Sequence, residues 1–125
     1  MKRSVYFSIL LLISSVIFSF KSSKCGLEVL NSYTQEIMGK NVGFYVKFKN
    51  SSKKSIDAFD YLVKYIDGFN ELKGKKTFRW QSGNVIDELE PGETLKDGAT
   101  NWVKGANKIK VLITRVHYTD NTTCN

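Results

Sequence analysis

The side chains that could act as an acid, a base or a nucleophile are few in this 125-residue sequence. His117 is the only histidine. A histidine works as a catalytic base when it stands beside a nucleophile and is oriented by a third group. The sequence has no Gly-x-Ser-x-Gly stretch, and a dyad of His117 with Cys124 would need a reduced thiol. A small hydrolase acting through His117 is one hypothesis. We favour a histidine on the surface of a sheet, and we predict no catalytic residue and no enzyme activity.

The two cysteines, Cys25 and Cys124, stand near the two ends of the chain that remains once a leader is removed. In an oxidising compartment two cysteines of a small domain usually pair, and this bridge would be worth up to ~4.7 kcal/mol in the chain-entropy model. In an alternative Cys25 carries a lipid, although Lys24 before it is not the small neutral neighbour expected there. Two cysteines and one histidine supply too few ligands for a metal, so we predict no metal and no cofactor.

Two charged stretches could bind ions or partners. The acidic stretch offers oxygen ligands for calcium, but its spacing matches no EF-hand loop; it holds Asp87, Glu88, Glu90, Glu93 and Asp97. The basic stretch could meet anionic headgroups or an acidic partner; it holds Lys73, Lys75, Lys76 and Arg79. Lysines on an edge strand also prevent sheets from aggregating. We expect both stretches to be solvated edges that face one another across a hairpin.

Aromatic residues could form a stacking platform for carbohydrate or peptide; the candidates are Trp80, Trp102, Tyr33, Tyr45, Tyr61 and Phe69. Burial is the alternative, and we expect it for Trp102 because sandwich cores contain aromatic side chains. Trp80, beside Arg79 in an expected edge strand, stays open between the two. Asn50-Ser51-Ser52 and Asn121-Thr122-Thr123 fit the glycosylation sequon, and both also fit plain turns.

Residues 1–23 predict a signal peptide. Lys2 and Arg3 precede the uncharged run 5–20, which is shorter than the roughly 20 residues that a membrane span needs. Cleavage after Ser19 or after Ser23 would release the mature domain, and retention of the segment as an N-terminal anchor is the alternative. Loss of Lys2 and Arg3 lowers the formal charge of +7 by two. What remains is an ordinary solubility charge, so nucleic acid is not an expected partner.

Residues 24–125 predict a single all-β domain. In residues 42–49 three apolar side chains alternate with lysines, which is the period of a strand with one wet face. Comparable runs occupy 27–30, 56–66, 77–81, 100–103 and 108–118, and shifts of phase after Ile56 and Ile113 indicate bulges. About seven short strands in a domain of this size are typical of an immunoglobulin-like antiparallel β-sandwich. An OB-type barrel is the alternative.

Three stretches, residues 46–56, 65–70 and 89–94, resemble small exported bacterial immunoglobulin-like domains of the FxLYD type and their relatives. These stretches carry the turns at Asn50-Ser51-Ser52, Asp67-Gly68 and Pro91-Gly92. The closing strand, 113–120, is also similar, with Asp120-Asn121-Thr122 where such domains often have Asp-Gly-Thr. The resemblance implies an immunoglobulin-like fold and supplies no catalytic residues, because such families are mostly of unknown function.

The sequence therefore predicts an exported, non-enzymatic β-sandwich module, located in the periplasm, in the cell envelope or outside the cell. We expect it to bind a protein or a surface polymer through one sheet face or edge, with binding residues that the sequence does not single out. The alternative is a membrane-tethered envelope protein with a structural role. We expect membrane contact only through the N-terminal segment or a lipidated Cys25.

Overall fold

A computed structural model describes residues 22–83 and 87–125, which form strands, turns and loops without a helix. Across these two ranges there is accordingly no helix long and apolar enough to cross a membrane. Of the predicted signal peptide 1–23, residues 1–21 lie outside the described residues. The strands are β1 Ser23–Lys24, β2 Leu27–Ile37, β3 Lys40–Asn50, β4 Ile56–Ile66, β5 Leu72–Gln81, β6 Thr94–Ala99, β7 Lys108–Tyr118 and β8 Thr123–Cys124.

The strands form two antiparallel sheets of four, so the predicted all-β, sandwich-like architecture is confirmed. One sheet has the order β1-β2-β3-β6 and the other has the order β5-β4-β7-β8. The chain crosses between the sheets after β3, after β5 and after β6. Because β5 and β6 belong to different sheets, the basic and acidic stretches are not hairpin partners, and that expectation was wrong.

The core lies between the sheets because buried residues alternate with half-buried ones along most of β3 and β4. The ring centroid of Phe44 lies 6.4 Å from that of Tyr65, and the centroid of Phe48 lies 4.7 Å from that of Phe59. All four side chains are almost completely buried, and aromatic pairs at these separations add to the free energy of burial. The contacts also show that β3 and β4 run in opposite directions across the two layers.

This antiparallel arrangement gives the sandwich two distinct ends. The hairpin end contains the β2–β3 turn at 38–39, the β4–β5 turn at 67–71 and the segment 100–107. There the backbone nitrogen of Asn107 donates to the carbonyl oxygen of Ile66 at 2.9 Å. The disulfide end contains the Cys25–Cys124 bond, the turn 51–55 and the described part of the β5–β6 connection, residues 87–93.

The predicted pairing of Cys25 with Cys124 is present, with a sulfur–sulfur distance of 2.04 Å. The bond ties the start of β2 to the last strand, and the Tyr118 hydroxyl donates to the Cys25 carbonyl oxygen at 2.5 Å beside it. β1 pairs with β2 through Ser23 and Glu28. Cleavage after Ser23 would therefore remove paired residues of β1, whereas cleavage after Ser19 would leave that pairing intact.

Two loops of the disulfide end, 51–55 and 87–93, meet at Asn50, which is completely buried. Its Nδ2 donates to the carbonyl oxygens of Lys54 at 2.8 Å and Leu89 at 2.9 Å. Its Oδ1 accepts from the backbone nitrogen of Ser52 at 3.0 Å and from the Ser52 hydroxyl at 2.6 Å. The Asn50 carbonyl oxygen also accepts from the nitrogen of Gly92 at 2.7 Å. Every polar atom of this buried side chain thus has a partner, as a stable interior requires.

The bulges predicted from the phase shifts are present, because the β4–β7 register slips between Ile56 and Ala58 and again between Asp60 and Tyr61. The strand predicted at 100–103 is wrong, since the strand here is Thr94–Ala99. Gly98, near its end, lets the chain approach β3, because a Cβ there would lie 2.2 Å from the carbonyl oxygen of Phe44. A charged and glycine-containing sequence therefore pairs as a strand for reasons that its hydrophobic pattern does not reveal.

Candidate functional site

The outer face of the sheet β5-β4-β7-β8 presents four cross-strand rows, which follow from the register of the three longest strands. From the disulfide end toward the hairpin end, these rows are Gln81–Ala58–His117, Arg79–Asp60–Arg115, Thr77–Leu62–Leu112 and Lys75–Lys64–Lys110. The central strand β4 turns its aromatic residues into the core, so its intervening residues face solvent. We call the five cationic residues of these rows the basic face: Arg79, Arg115, Lys64, Lys75 and Lys110.

The lysine row places three like charges directly opposite one another on adjacent strands. Lys64 is paired in register with Lys75 on one side and with Lys110 on the other. Neighbouring strands lie about 4.8 Å apart, and like charges at directly opposed positions destabilise a sheet. Lys75 and Lys110 are exposed and Lys64 is half-buried. The row therefore costs the fold some stability and gives this face a concentrated positive potential.

The next charged row is an arginine–aspartate–arginine cluster. Arg79 donates from Nε to Oδ1 of Asp60 at 2.6 Å and from Nη2 to Oδ2 at 3.0 Å. Arg115 donates to Oδ2 from Nη2 at 2.8 Å and from Nε at 3.1 Å. The hydrogen bonds from Arg79, reinforced by Arg115, hold the pKa of Asp60 below its usual value. The same carboxylate raises the pKa of Arg79.

Asp60 fixes the orientation of both guanidinium groups while leaving part of each available to a ligand. The Asp60 side chain is 12% exposed, whereas those of Arg79 and Arg115 are 50% and 47% exposed. Each arginine uses only Nε and Nη2 in these contacts, so its Nη1 amino group remains as a donor for another anion. An arginine held in this way loses little conformational freedom when it binds a carboxylate or phosphate.

His117 lies beside this cluster, on the outer face as the sequence predicted. Its Nδ1 is 2.6 Å from Oδ1 of Asp57, and its Nε2 is 3.3 Å from Oδ1 of Asn121. The hydrogen bond to Asp57 raises the pKa of His117. Asp57, Asp60, both arginines and His117 line one cleft of about 520 Å³. The net charge of this cleft therefore increases when His117 is protonated.

His117 does not form a catalytic triad with the residues that the structure describes. Both of its ring nitrogens contact side-chain oxygens of Asp57 and Asn121. Ser82 and Thr123 also line the cleft, but within the described ranges neither hydroxyl has a hydrogen bond to the His117 ring. A general base needs a nucleophile within hydrogen-bond reach. The arrangement instead suits the recognition of an anion by charge.

The acidic stretch divides in the structure. Asp87, Glu88, Glu90 and Glu93 are exposed at the disulfide end, as expected. Asp97 points between the sheets and accepts a hydrogen bond from the Tyr61 hydroxyl at 2.7 Å, so its assignment to a solvated edge was wrong. Burial and the neighbouring Asp97 raise the pKa of Tyr61. Throughout residues 22–83 and 87–125, no group of three or more His, Cys, Asp or Glu side chains could hold a metal ion.

The basic stretch also divides. Lys75 and Arg79 belong to the basic face, whereas Lys73 lies 3.4 Å from Oδ2 of Asp67 in an ion pair at the hairpin end. Lys76 instead places its Nζ over the ring of Phe78, 5.5 Å from the centroid. Only part of the stretch identified in the sequence is therefore available on one surface.

The aromatic candidates do not form one platform. Tyr61 and Trp80 are buried in the core, and Trp102 packs edge-on against Tyr65 at a centroid distance of 5.4 Å. Tyr33 and Tyr45 are neighbours on the outer face of the other sheet, 4.9 Å apart. Phe69 lies in the turn 67–71 of the hairpin end.

The two sequons differ in access. Asn50 is completely buried and both hydrogens of its amide are donated to carbonyl oxygens, so the folded protein offers no acceptor nitrogen there. Asn121 is exposed in the turn before β8, where its φ of 68° is one that asparagine tolerates.

Five residues of the site escaped the sequence analysis: Asp57, Asp60, Lys64, Lys110 and Arg115. The available signal was the position of charged residues at outward-facing places of strands 56–66 and 108–118. These charged residues form a site only because the strand register places Asp60 opposite both Arg79 and Arg115. A bulge in β7 shifts that register by one residue. The register could not be obtained from the sequence because the bulge position was known only approximately.

Fold and site together define a two-layer antiparallel β-sandwich, closed by a disulfide, with a cationic outer face on the sheet β5-β4-β7-β8. Among solved structures the chain is similar to the crystal structure of a hypothetical protein from Peptoclostridium difficile 630, with a TM-score of 0.61 and 13% sequence identity. The similarity covers 82% of this chain and 87% of that chain, and at this identity it concerns the fold alone. The sequence matches no family model and no curated protein.

Proposed function

We propose that this protein is an exported, non-enzymatic binding module that holds an anionic surface polymer against its basic face. The observation that carries the proposal is the row of Lys75, Lys64 and Lys110 in direct register. Sequences seldom keep charge repulsion in the centre of a sheet unless another purpose compensates for it. A chain of regularly spaced phosphate or carboxylate groups would neutralise the row.

The oriented arginines extend the same surface. Arg79 and Arg115 flank Asp60, which lies four residues from Lys64 along β4 toward the disulfide end, two rows away on this face of the sheet. Thr77, Leu62 and Leu112 occupy the row between them. A polymer lying along the strands would therefore meet lysines first, a mostly apolar row next and a pair of guanidinium groups last. Such a surface favours extended polyanions over small neutral ligands.

The strand order supports an immunoglobulin-like type of sandwich. With the letters A, B, C, C′, E, F and G given to β2 through β8, the sheets have the orders A-B-E and C′-C-F-G. Immunoglobulin-type domains have the same neighbours, and variable-type domains add C′ beside C in this way. The basic face then lies on the C′-C-F-G sheet. The resemblance to exported domains of the FxLYD type agrees with this topology.

Export is supported by the disulfide and by the apolar N-terminal sequence. Disulfides persist in oxidising compartments, and the bond between Cys25 and Cys124 is present. The same bond counts against lipidation of Cys25, because its sulfur is already used. Mass spectrometry of the mature protein, with a count of free thiols, tests this part. We expect a start between Phe20 and Ser22 and no free thiol, whereas an intact Met1, an acyl mass on Cys25 or two free thiols would contradict the proposal.

Polymer binding can be tested with poly(glycerol phosphate) as the probe, by isothermal titration calorimetry at low and at physiological salt. The variant combines Lys64→Gln, Lys75→Gln and Lys110→Gln. Each lysine beside an anionic surface is worth about 1 kcal/mol, so we expect a loss of affinity of at least tenfold. The affinity of the unaltered protein should fall as salt screens the charges.

The matched control removes the same charge from the other sheet, by Lys47→Gln, Lys49→Gln and Lys96→Gln. There Lys49 is paired with Glu28, and Lys47 is paired with Lys96, whose Nζ lies over the ring of Tyr45 at 4.7 Å. This face therefore has two lysines in register, but it has no row of three and no arginine. We expect this control to bind within about twofold of the unaltered protein. Equal losses in the two variants, or no binding by the unaltered protein, would show that the basic face is not a polymer site.

A further inference from the structure

The largest exposed apolar side chains are gathered at the hairpin end. In the described ranges, the large apolar residues with more than half of their surface exposed are Ile37 at 62%, Met38 at 97%, Phe69 at 86% and Leu72 at 54%. Two of them belong to the β2–β3 hairpin of one sheet, and two belong to the β4–β5 hairpin of the other sheet. Single exposed apolar residues are ordinary, but their concentration at one end of a small domain indicates an interaction surface.

Met38 occupies a position that its side chain does not favour. It has φ of 52°, and Gly39 after it has φ of 78°, so the two-residue turn has positive φ at both central positions. Such turns prefer Asn-Gly or Asp-Gly, since most other side chains are disfavoured in this region of backbone conformation. Met38 is therefore neither buried nor favoured by the conformation of its turn. The stability of the fold does not explain a methionine here, which indicates a contact with another molecule.

Phe69 is presented in a comparable way by a rigid turn. Its backbone nitrogen donates to Oδ1 of Asp67 at 2.8 Å, and the nitrogen of Glu71 donates to the same oxygen at 2.9 Å. Lys108 donates from Nζ to Oδ1 of Asn70 and braces the turn from β7. The backbone around Phe69 is thus held by hydrogen bonds while its ring remains in solvent. A side chain held in this way loses little backbone entropy when it enters another phase.

The charges around these tips suit a negatively charged surface. The hairpin end carries four lysines and three carboxylates: Lys40, Lys73, Lys104, Lys108, Glu36, Asp67 and Glu71. The lysine row of the basic face adjoins it, because Ile66 and Lys108 follow Lys64 and Lys110 by one row. The exposed carboxylates of residues 87–93 lie at the opposite end. The domain is therefore electrically polarised, with its cationic half surrounding the apolar tips.

We infer that the hairpin end docks on an anionic lipid bilayer. Apolar side chains enter the boundary between headgroups and acyl chains, and the lysines around them contact acidic headgroups. This is a second surface and a different ligand from the polymer proposed for the basic face. It also extends the sequence-based expectation, which confined membrane contact to the N-terminal segment or a lipidated Cys25. In this orientation the disulfide end faces away from the bilayer.

The test uses the full chain carrying Phe69→Trp, with vesicles of phosphatidylcholine and about a third phosphatidylglycerol whose acyl chains are brominated. Bromine quenches a tryptophan only at close range, so the quenching reports where the hairpin end lies, whether the N-terminal segment is removed or kept. The unaltered protein supplies the background from the buried Trp80 and half-buried Trp102. The matched control is Tyr33→Trp, because Tyr33 is 43% exposed on the outer face of the other sheet.

We expect several-fold stronger quenching for Phe69→Trp than for Tyr33→Trp, and a loss of this difference when all lipids are zwitterionic. Adding Met38→Asn to Phe69→Trp should weaken the apparent affinity for the vesicles by about fivefold, since the second tip no longer enters. Polymer binding should be unchanged in that variant, which separates this inference from the proposed function. Equal quenching at the two positions, quenching independent of anionic lipid, or no effect of Met38→Asn would overturn the inference.

Discussion

The two ends of this sandwich follow opposite rules. At the disulfide end the residues satisfy the fold: Asn50 has a partner for every polar atom, and Gly92 has the positive φ of 85° that the turn after Pro91 requires. At the hairpin end Met38 stands where asparagine or glycine would be favoured, and Phe69 is exposed over 86% of its surface. The stability of the fold explains the residues of the disulfide end, but it does not explain Met38 and Phe69 at the hairpin end.

This difference offers a way to separate structural residues from functional ones. A residue that agrees with local propensity, packing and hydrogen bonding is sufficiently explained by the folded state. A residue that the folded state does not explain in this way is retained for an interaction that the isolated chain does not show. The lysine row belongs with the hairpin end by this criterion, because the register sets Lys64 between two like charges. Substitutions at the two ends should therefore change the free energy of unfolding in different ways.

Removal of the disulfide should have the largest effect on stability. We expect Cys25→Ala with Cys124→Ala to lower the free energy of unfolding by about 2–5 kcal/mol, because the bond closes a loop with a sequence separation of 99 residues. Urea unfolding followed by tryptophan fluorescence measures the change. Reductant should lower the stability of the unaltered protein by a similar amount and leave the variant unaffected. A change below about 1 kcal/mol would mean that the other contacts of this end already fix the termini.

Asn50→Ala should have the next largest effect, about 3 kcal/mol, because it leaves the carbonyl oxygens of Lys54 and Leu89 without their donor. The same urea experiment measures it. The control is Asn31→Ala, an exposed residue of β2 that should change stability by no more than about 0.5 kcal/mol. If both substitutions cost the same, the buried hydrogen bonds of Asn50 are not what joins the two loops.

The sequence predicted the layers of this fold better than its pairings. Alternation in residues 42–49 and 56–66 located two central strands because most of their length has one buried face with a period of two, which bulges interrupt in the second strand. Cys25 and Cys124 were paired correctly from their positions and compartment. The strand Thr94–Ala99 was missed because its inward side includes Asp97, which is stabilised by the Tyr61 hydroxyl rather than by hydrophobic burial. Asp97 thus faces inward because of Tyr61, a residue distant in sequence.

The candidate site was largely beyond sequence-based prediction for a related reason. Lys75 and Arg79 were recognised as a local run, but their partners Lys64, Lys110 and Arg115 come from other strands. Cross-strand neighbours depend on register, and a shift of one residue turns a side chain to the other face. Met38 was not singled out in the sequence, and Phe69 was named only as a candidate of an aromatic platform, because an apolar residue in a turn cannot be distinguished from one that folds back onto the core.

At the hairpin end, Met38→Asn should increase stability, in contrast to both substitutions above. Asparagine tolerates positive φ better than methionine, and Asn-Gly is the preferred pair for a two-residue turn, so we expect a gain of about 0.5–1 kcal/mol. Urea unfolding measures the gain. Met38→Leu is the matched control, since it keeps the apolar side chain and the unfavourable φ and should show no gain. A loss of stability on Met38→Asn would show that the methionine supports the fold and would remove one basis of the inferred membrane contact.

The smallest expected effect is a dependence of the disulfide end on pH. The pKa of His117 is raised by Asp57, so the stabilisation is complete below the ordinary histidine pKa of 6.5 and is lost as the pH rises through the higher pKa of the folded state. The backbone nitrogens of Glu71 and Phe69 lower the pKa of Asp67 at the hairpin end, so its contribution is lost only on acidification, beginning near 3.8. Between about pH 5 and pH 9, amide hydrogen exchange corrected for intrinsic rates should therefore accelerate around residues 116–124 and stay constant around residues 67–71.

Asp57→Asn should abolish the acceleration, because His117 then has no carboxylate at Nδ1. A uniform response of the two ends would mean that the His117–Asp57 pair does not contribute to the local stability of β7 and β8.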